Sequence, residues 1–288
     1  MRELKTAWRN CRPHCPSVDP LFHYTSAEGL HGILTTRKIR LSNVSTLNDA
    51  SEMLYGRDVI SKVLLSRLKG QDSALNLAAV YQKGTKFVEE GLVSQSYVFC
   101  FCSKDDLLSQ WRAYGEGGAG FAIGFNRVRL EEYLQKGSLR VSDPMPLVYS
   151  EDCQERVVSC FVSKAEDIAA CKYNLTGRGL CEFEKEFAFW LFQYPLFMKH
   201  PSFSEEKEWR ILQVSRDPKD VMFRPGRGIV IPYLELSDIP ADVFASVTFG
   251  PGHDPKFGVK PMEFFLKQKQ LQHVKVQASE IPLRTLRY

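Results

Sequence analysis

The apolar period of this chain changes along its length, and no fold of a single secondary-structure type satisfies both periods. Two stretches carry apolar side chains three and four residues apart. Met53, Leu54, Ile60, Val63 and Leu64 mark the first; Leu180, Phe183, Phe187, Trp190, Leu191 and Tyr194 mark the second. Such spacing lines one face of a helix. Between and after them lie short runs of β-type residues, 97–102, 120–125 and 208–214, bounded by polar and glycine-containing segments. Strands come in clusters between helices, without the regular alternation of a parallel βαβ fold. The pattern predicts an α+β fold, a single domain with a central mixed or antiparallel sheet flanked by helices.

Local signals extend this outline. Leu21-Phe22-His23-Tyr24 reads as a short strand, and Thr25 or Ser26 as the cap of a helix over about 27–37. Residues 39–42 alternate as a strand. Helices are expected over about 50–69, 73–90, 151–172 and 179–194, with a short one inside 103–115. Further strands are expected near 146–149, 228–232, 245–250 and 273–276. Residues 1–19 are polar and contain proline, so they read as an arm, and 20–288 as the one domain. The glycines at 115, 117, 118 and 120 lead into a strand, not from a strand into a helix. That order excludes the dinucleotide and P-loop fingerprints and reads as a turn of close backbone approach.

Composition narrows the function classes. With 288 residues, 44% hydrophobic and 25% charged, the chain is neither disordered nor dependent on disulfide staples. Thirty-eight basic against 34 acidic residues give +4, without the dense Lys/Arg stripe of a dedicated nucleic-acid binder. The start lacks the apolar core of a signal peptide, and no run approaches 18 apolar residues. The expectation is therefore a cytoplasmic chain without membrane contact. Its eight cysteines then read as reduced thiols, most of them buried as small hydrophobes. Cys11, His14 and Cys15 have metal-like spacing, but no second paired cluster closes a site, so no metal is expected.

Three constellations carry chemistry. His23, Tyr24 and Thr25 sit at a strand-to-helix junction. Ser103, Gln110, Arg112 and Tyr114 concentrate polar and aromatic side chains beside the glycines, and arginine offers a bidentate fork to phosphate. Glu206, Glu208 and Arg210 fall two apart. On a strand that begins early enough, they would share one face, and a carboxylate pair there can stabilise positive charge or take a proton. No G-x-S-x-G, H-E-x-x-H or kinase motif is present.

These pieces, in this order, resemble a bacterial family of unknown function, DUF2971. The resemblance rests on 21–26, the Leu30 to Leu34 helix, 39–42, and Leu47-Asn48-Asp49 with Glu52. It continues through Phe101-Cys102-Ser103, Trp111 and Tyr114, 120–125, then Lys199, Phe203 and 206–210, covering about 21–285. A looser resemblance is to ADP-ribosyltransferases, which order a His or Arg, a Ser or Tyr, and a late Glu-x-Glu as His23, Ser103 or Tyr114, and Glu206-x-Glu208 are ordered here. It implies NAD as substrate, an ADP-ribosyltransferase or NAD glycohydrolase activity, and the toxin or phage-defence setting in which such enzymes occur. Glu208 would stabilise the oxocarbenium, Glu206 position the acceptor, and His23 hold the ribose or adenosine. Tyr24 or Tyr114 would stack on nicotinamide and Arg112 face the diphosphate, with Thr25, Ser103, Gln110 and Arg210 completing the nucleotide site. The macromolecular acceptor, protein or nucleic acid, stays open. Two other classes stand beside this one: a non-enzymatic module that binds a nucleotide or nucleic acid, and a metal-independent nuclease or other hydrolase using His23 and the glutamates.

Overall fold

Ser26 shows how local sequence sets the first elements. Its hydroxyl accepts from the Gly29 amide at 3.0 Å, which starts α2 (Ala27–Thr36) directly after β1 (Leu21–Thr25). Arg37 closes the helix in a left-handed conformation, φ 52°, and β2 (Ile39–Asn43) follows. The computed structural model describes residues 2–12, 17–47, 52–68, 75–88, 95–136, 141–172, 177–215, 217–226 and 228–282. His14, Cys15, Asn48 and Asp49 lie outside them.

The strands join one mixed sheet. β3 (Ser96–Cys102), β4 (Phe121–Phe125), β5 (Met145–Pro146), β6 (Glu208–Val214) and β7 (Met222–Pro225) precede β8 (Val230–Leu236), β9 (Phe244–Phe249) and β10 (Lys275–Ala278). The order is β10-β9-β4-β1-β3-β2-β8-β7. β6 lies along β3 from Ser96↔Val214 to Cys102↔Glu208, and β5 pairs with β6. All these pairings are antiparallel except β10 with β9.

By its internal contacts the chain forms two compact units, each drawn from three segments. Unit 1 comprises Met1–Cys15, Val44–Gln95 and Leu147–Ser204; unit 2 comprises Pro16–Asn43, Ser96–Pro146 and Glu205–Tyr288. Unit 1 is helical: α1 (Arg2–Asn10), α3 (Glu52–Leu68), α4 (Leu77–Phe87), α7 (Glu151–Lys172) and α8 (Arg178–Leu191). Helix α1 corrects the expected arm. Leu4, Ala7, Trp8 and Cys11 recur at i, i+3, i+4 and i+7 and are all buried. The Trp8 ring meets Trp190, Tyr194 and Phe197 at centroid distances of 5.5, 5.4 and 6.1 Å. The stripe is only about two turns long, and its polar neighbours hide it from a reading by composition.

Unit 2 holds the whole sheet with α2, α5 (Leu108–Ala113), α6 (Arg127–Lys136) and α9 (Pro255–Gln268). One sheet face carries Leu21, Phe99, Phe101, Ile123, Phe125, Trp209, Ile211 and Val247. They form one core with Leu30 and Leu34 of α2, Leu130 and Leu134 of α6, and Met262 and Leu266 of α9. The sequence reading did not anticipate α6, α9 or β7. It also expected most cysteines inside, whereas Cys171 and Cys181 are exposed. On α8 the buried stripe runs through Glu184, Phe187, Ala188 and Leu191, which leaves Cys181 outside it.

Candidate functional site

All the residues singled out for chemistry in the sequence fall in unit 2. Their arrangement follows from where β6 begins. Pro201–Glu206 form a 3-10 turn, and Lys207 takes φ 47° before the strand starts at Glu208. The left-handed residue breaks the alternation, so Glu206 does not extend the strand and the expected pair of carboxylates on one strand face does not form. Glu206 is half-buried in the turn. Glu208 pairs instead with Arg210, two residues on. Arg210 Nε donates to Oε1 at 2.6 Å and Nη2 donates to Oε2 at 3.1 Å. Arg210 is 2% exposed and Glu208 8%. A two-bond fork of this kind fixes the plane of the carboxylate as well as its distance.

Strand register then sorts the other candidates onto two faces. Phe22 faces Cys102 across β1 and β3, and Cys102 faces Glu208 across β3 and β6. Side chains alternate along a strand, so Phe22, Tyr24, Cys102, Glu208 and Arg210 share one face. His23 and Thr25 point to the other. There the His23 ring stacks on Phe99 at 4.2 Å, and its Nδ1 bonds the Cys100 carbonyl at 2.9 Å. Burial among those apolar rings pulls the imidazole down to about 4, outweighing the carbonyl hydrogen bond that raises it. The sheet thus brings Glu208, Arg210 and Tyr24 to one side and separates His23 from them. The expected joint action of His23 and Glu208 on one ribose has no counterpart in this geometry, because adjacent strand residues cannot share a face.

The Tyr24 hydroxyl donates to the Lys104 carbonyl and accepts from the Leu107 amide, each at 3.0 Å. Its ring meets Trp111 edge-on at 4.6 Å. Burial and then the neighbouring Cys102 push its phenol above the ordinary tyrosine range. Cys102 itself is raised to about 11, chiefly by burial. Trp111 is fully buried and donates from Nε1 to Asp106 at 2.7 Å. Ser279 Oγ and the Glu280 amide also donate to Asp106, at 2.6 and 2.9 Å, while Gln277 donates to Asp105 at 2.8 Å. The 104–111 segment is therefore tied down at both ends. Asp105 and Asp106 are anchors that the sequence reading missed, since nothing local announces partners some 170 positions away. Gln110 is buried, whereas Arg112 and Tyr114 lie on the open side of α5. The Ser103 amide donates to the Lys207 carbonyl at 3.1 Å, joining the end of β3 to the residue before β6.

The glycines after α5 make the expected close approach. A Cβ at Gly120 would stand 2.4 Å from the Thr25 carbonyl oxygen. Gly117 and Gly118 have φ 67° and 105°.

Unit 1 carries a second buried ion pair, Lys199 with Glu52 at 3.0 Å, their side chains 5% and 7% exposed. Lys199 Nζ also stands 4.9 Å over the Phe203 ring. Both buried pairs are built from residues that carry the DUF2971 resemblance. Among the described residues, no cluster of three His, Cys, Asp or Glu side chains gathers as metal ligands.

No curated protein and no solved structure matches the chain. A family model does, over residues 110–211. That stretch includes Trp111, Tyr114, the β4 glycines, Lys199, Phe203 and the Glu208–Arg210 pair; the motifs at 21–52 lie before it. Over those matched residues the chain is similar to DUF2971, a family of proteins of unknown function.

Proposed function

We propose that the chain is an NAD-consuming enzyme of the ADP-ribosyltransferase or NAD glycohydrolase type, with Glu208 as the carboxylate that faces developing positive charge. The observation that carries this reading is the Arg210 fork, which holds a nearly buried carboxylate in one orientation. Breaking the nicotinamide–ribose bond sends its electron pair to nicotinamide and leaves an oxocarbenium on the ribose. A fixed anion favours that charge without reorganising. Water or an acceptor group then adds at the same carbon and releases its proton. With both oxygens engaged by Arg210, Glu208 acts electrostatically, not as a general base. His23, on the other sheet face, has no part in this step.

The test is incubation with NAD and quantification of free nicotinamide. The wild-type chain is expected to release it, and Glu208→Gln to slow release by about a hundredfold or more, with its far-UV circular dichroism unchanged. No release from the wild type, with or without added protein or nucleic-acid acceptors, overturns the reading. A second reading, a non-enzymatic nucleotide-binding module, is favoured by the Tyr24 hydroxyl being held from both sides. Saturable NAD binding without turnover is its expected signature.

A further inference from the structure

At the β7 end of the sheet, Lys38 and Arg40 share one carboxylate, Glu235, and a third cation, Arg224, stands on the same sheet face. Ser42 faces Tyr233 across β2 and β8, and Tyr233 faces Met222 across β8 and β7. Arg40 and Arg224 each stand two residues from a member of that row, so all share one sheet face. The contacts agree. Arg224 Nη2 donates to the Ser42 hydroxyl at 3.1 Å, and the Arg40 guanidinium lies 5.0 Å from the centre of the Tyr233 ring. Glu235 is divided between Lys38, at 2.6 Å, and Arg40, at 3.9 Å, and Asp238 also acts on Lys38. Among the described residues no carboxylate bonds Arg224, and its Nε is buried and meets no hydrogen-bond acceptor. Burial and then the charge of Arg40 draw the Arg224 guanidinium below the ordinary arginine value.

Holding two guanidiniums of like charge together, one with a buried donor unmatched, is unfavourable in the absence of an anion. We propose that Arg40, Arg224 and the Ser42 hydroxyl bonded to Arg224 form a binding site for a phosphate-bearing anion. Arginine forks match the oxygens of a phosphoryl group, and a multiply charged anion relieves the repulsion that a single carboxylate would relieve only in part. Ser42 accepts from Arg224 and can turn its own proton toward a phosphoryl oxygen. Tyr233 floors the site as an apolar ring under Arg40. The site lies on β2, β7 and β8 and includes neither Glu208 nor Arg210.

The probe is inorganic pyrophosphate, titrated calorimetrically into the full chain at low ionic strength. Saturable one-to-one binding is expected, weakening as salt is added. Arg224→Gln and Arg40→Gln should each weaken it by about tenfold or more. Arg224→Lys should retain part of the affinity, because charge survives and the fork does not. Arg129→Gln, which removes an exposed cation paired with Glu132 on α6, should bind as the wild type does. Absence of binding by the wild type overturns the proposal, and so does wild-type affinity in Arg224→Gln. Equal weakening by Arg129→Gln also overturns it, since the attraction would then be diffuse. Pyrophosphate binding is read without NAD turnover, so this result and that of the nicotinamide assay are independent.

Discussion

His23 and Tyr24 are neighbours in sequence and opposites in environment. Tyr24 is bonded at its hydroxyl on the face that carries Glu208, whereas the His23 ring lies against Phe99 on the apolar side. Burial lowers the His23 imidazole from 6.5 to about 4. The folded chain therefore keeps His23 neutral in a range where the unfolded chain protonates it. Its contribution to stability is complete above pH 6.5 and declines as the pH falls from there toward 4, because the unfolded state binds the additional proton. An NMR titration of the His23 ring should show a midpoint near 4. Urea unfolding between pH 7 and 4 should lose stability less steeply in His23→Phe than in the wild type. A midpoint near 6.5 would mean that the ring is solvated and that its assignment to the apolar face is wrong.

Among the elements, those with a strong local signal were legible. β6 was expected over 208–214 and spans Glu208–Val214, and α7 was expected over about 151–172 and spans Glu151–Lys172. Thr25 or Ser26 announced α2 by capping chemistry, and Ser26 is the cap. What failed depended on a single dihedral or on distant partners. The spacing of Glu206 and Glu208 suggests a shared face, and only the left-handed φ of Lys207 prevents it. That His23 and Tyr24 face opposite ways is implicit in any strand, but which face holds Glu208 is decided by the β1–β3–β6 register. The glycine turn was legible in kind, and its geometry gives a prediction. Gly120 accepts the Gly250 amide and donates to the Gly115 carbonyl, each at 2.9 Å. A methyl group there would meet the Thr25 and Gly115 backbones at 2.4 and 2.8 Å, where no side chain can swing aside. Gly120→Ala should therefore destabilise the chain by about 1–3 kcal/mol, measured by urea unfolding. A loss below about 0.5 kcal/mol, the range of surface changes away from special features, would show that the turn relaxes freely.

For the whole molecule, the sequence suggested that a site scattered over 23, 103–114 and 206–210 requires one body. The segments that carry it are the three that build unit 2, while the three segments of unit 1 interleave with them. No single cut of the chain separates the units, so neither can be judged from one stretch of sequence, and the first residues acquire a structural task. α1 packs on α7 and α8, helices that enter unit 1 more than a hundred residues later. Its Trp8 is 3% exposed, and the Tyr194 hydroxyl donates to the Trp8 carbonyl at 3.0 Å. Truncating a buried tryptophan of this kind costs about 3–5 kcal/mol. Trp8→Ala should lower the stability of unit 1 by that order. Hydrogen exchange should then be faster at the amides of α7 and α8, with β3 and β6 of unit 2 as internal reference strands. A chain lacking residues 1–12 should show the same change in the same helices. If α7 and α8 keep their protection in both variants, α1 is an arm laid on the surface and the stripe of Leu4, Ala7, Trp8 and Cys11 does not support unit 1. If protection falls there first, the first turns of the chain close a helical core whose other members begin at residue 52 and end beyond 190.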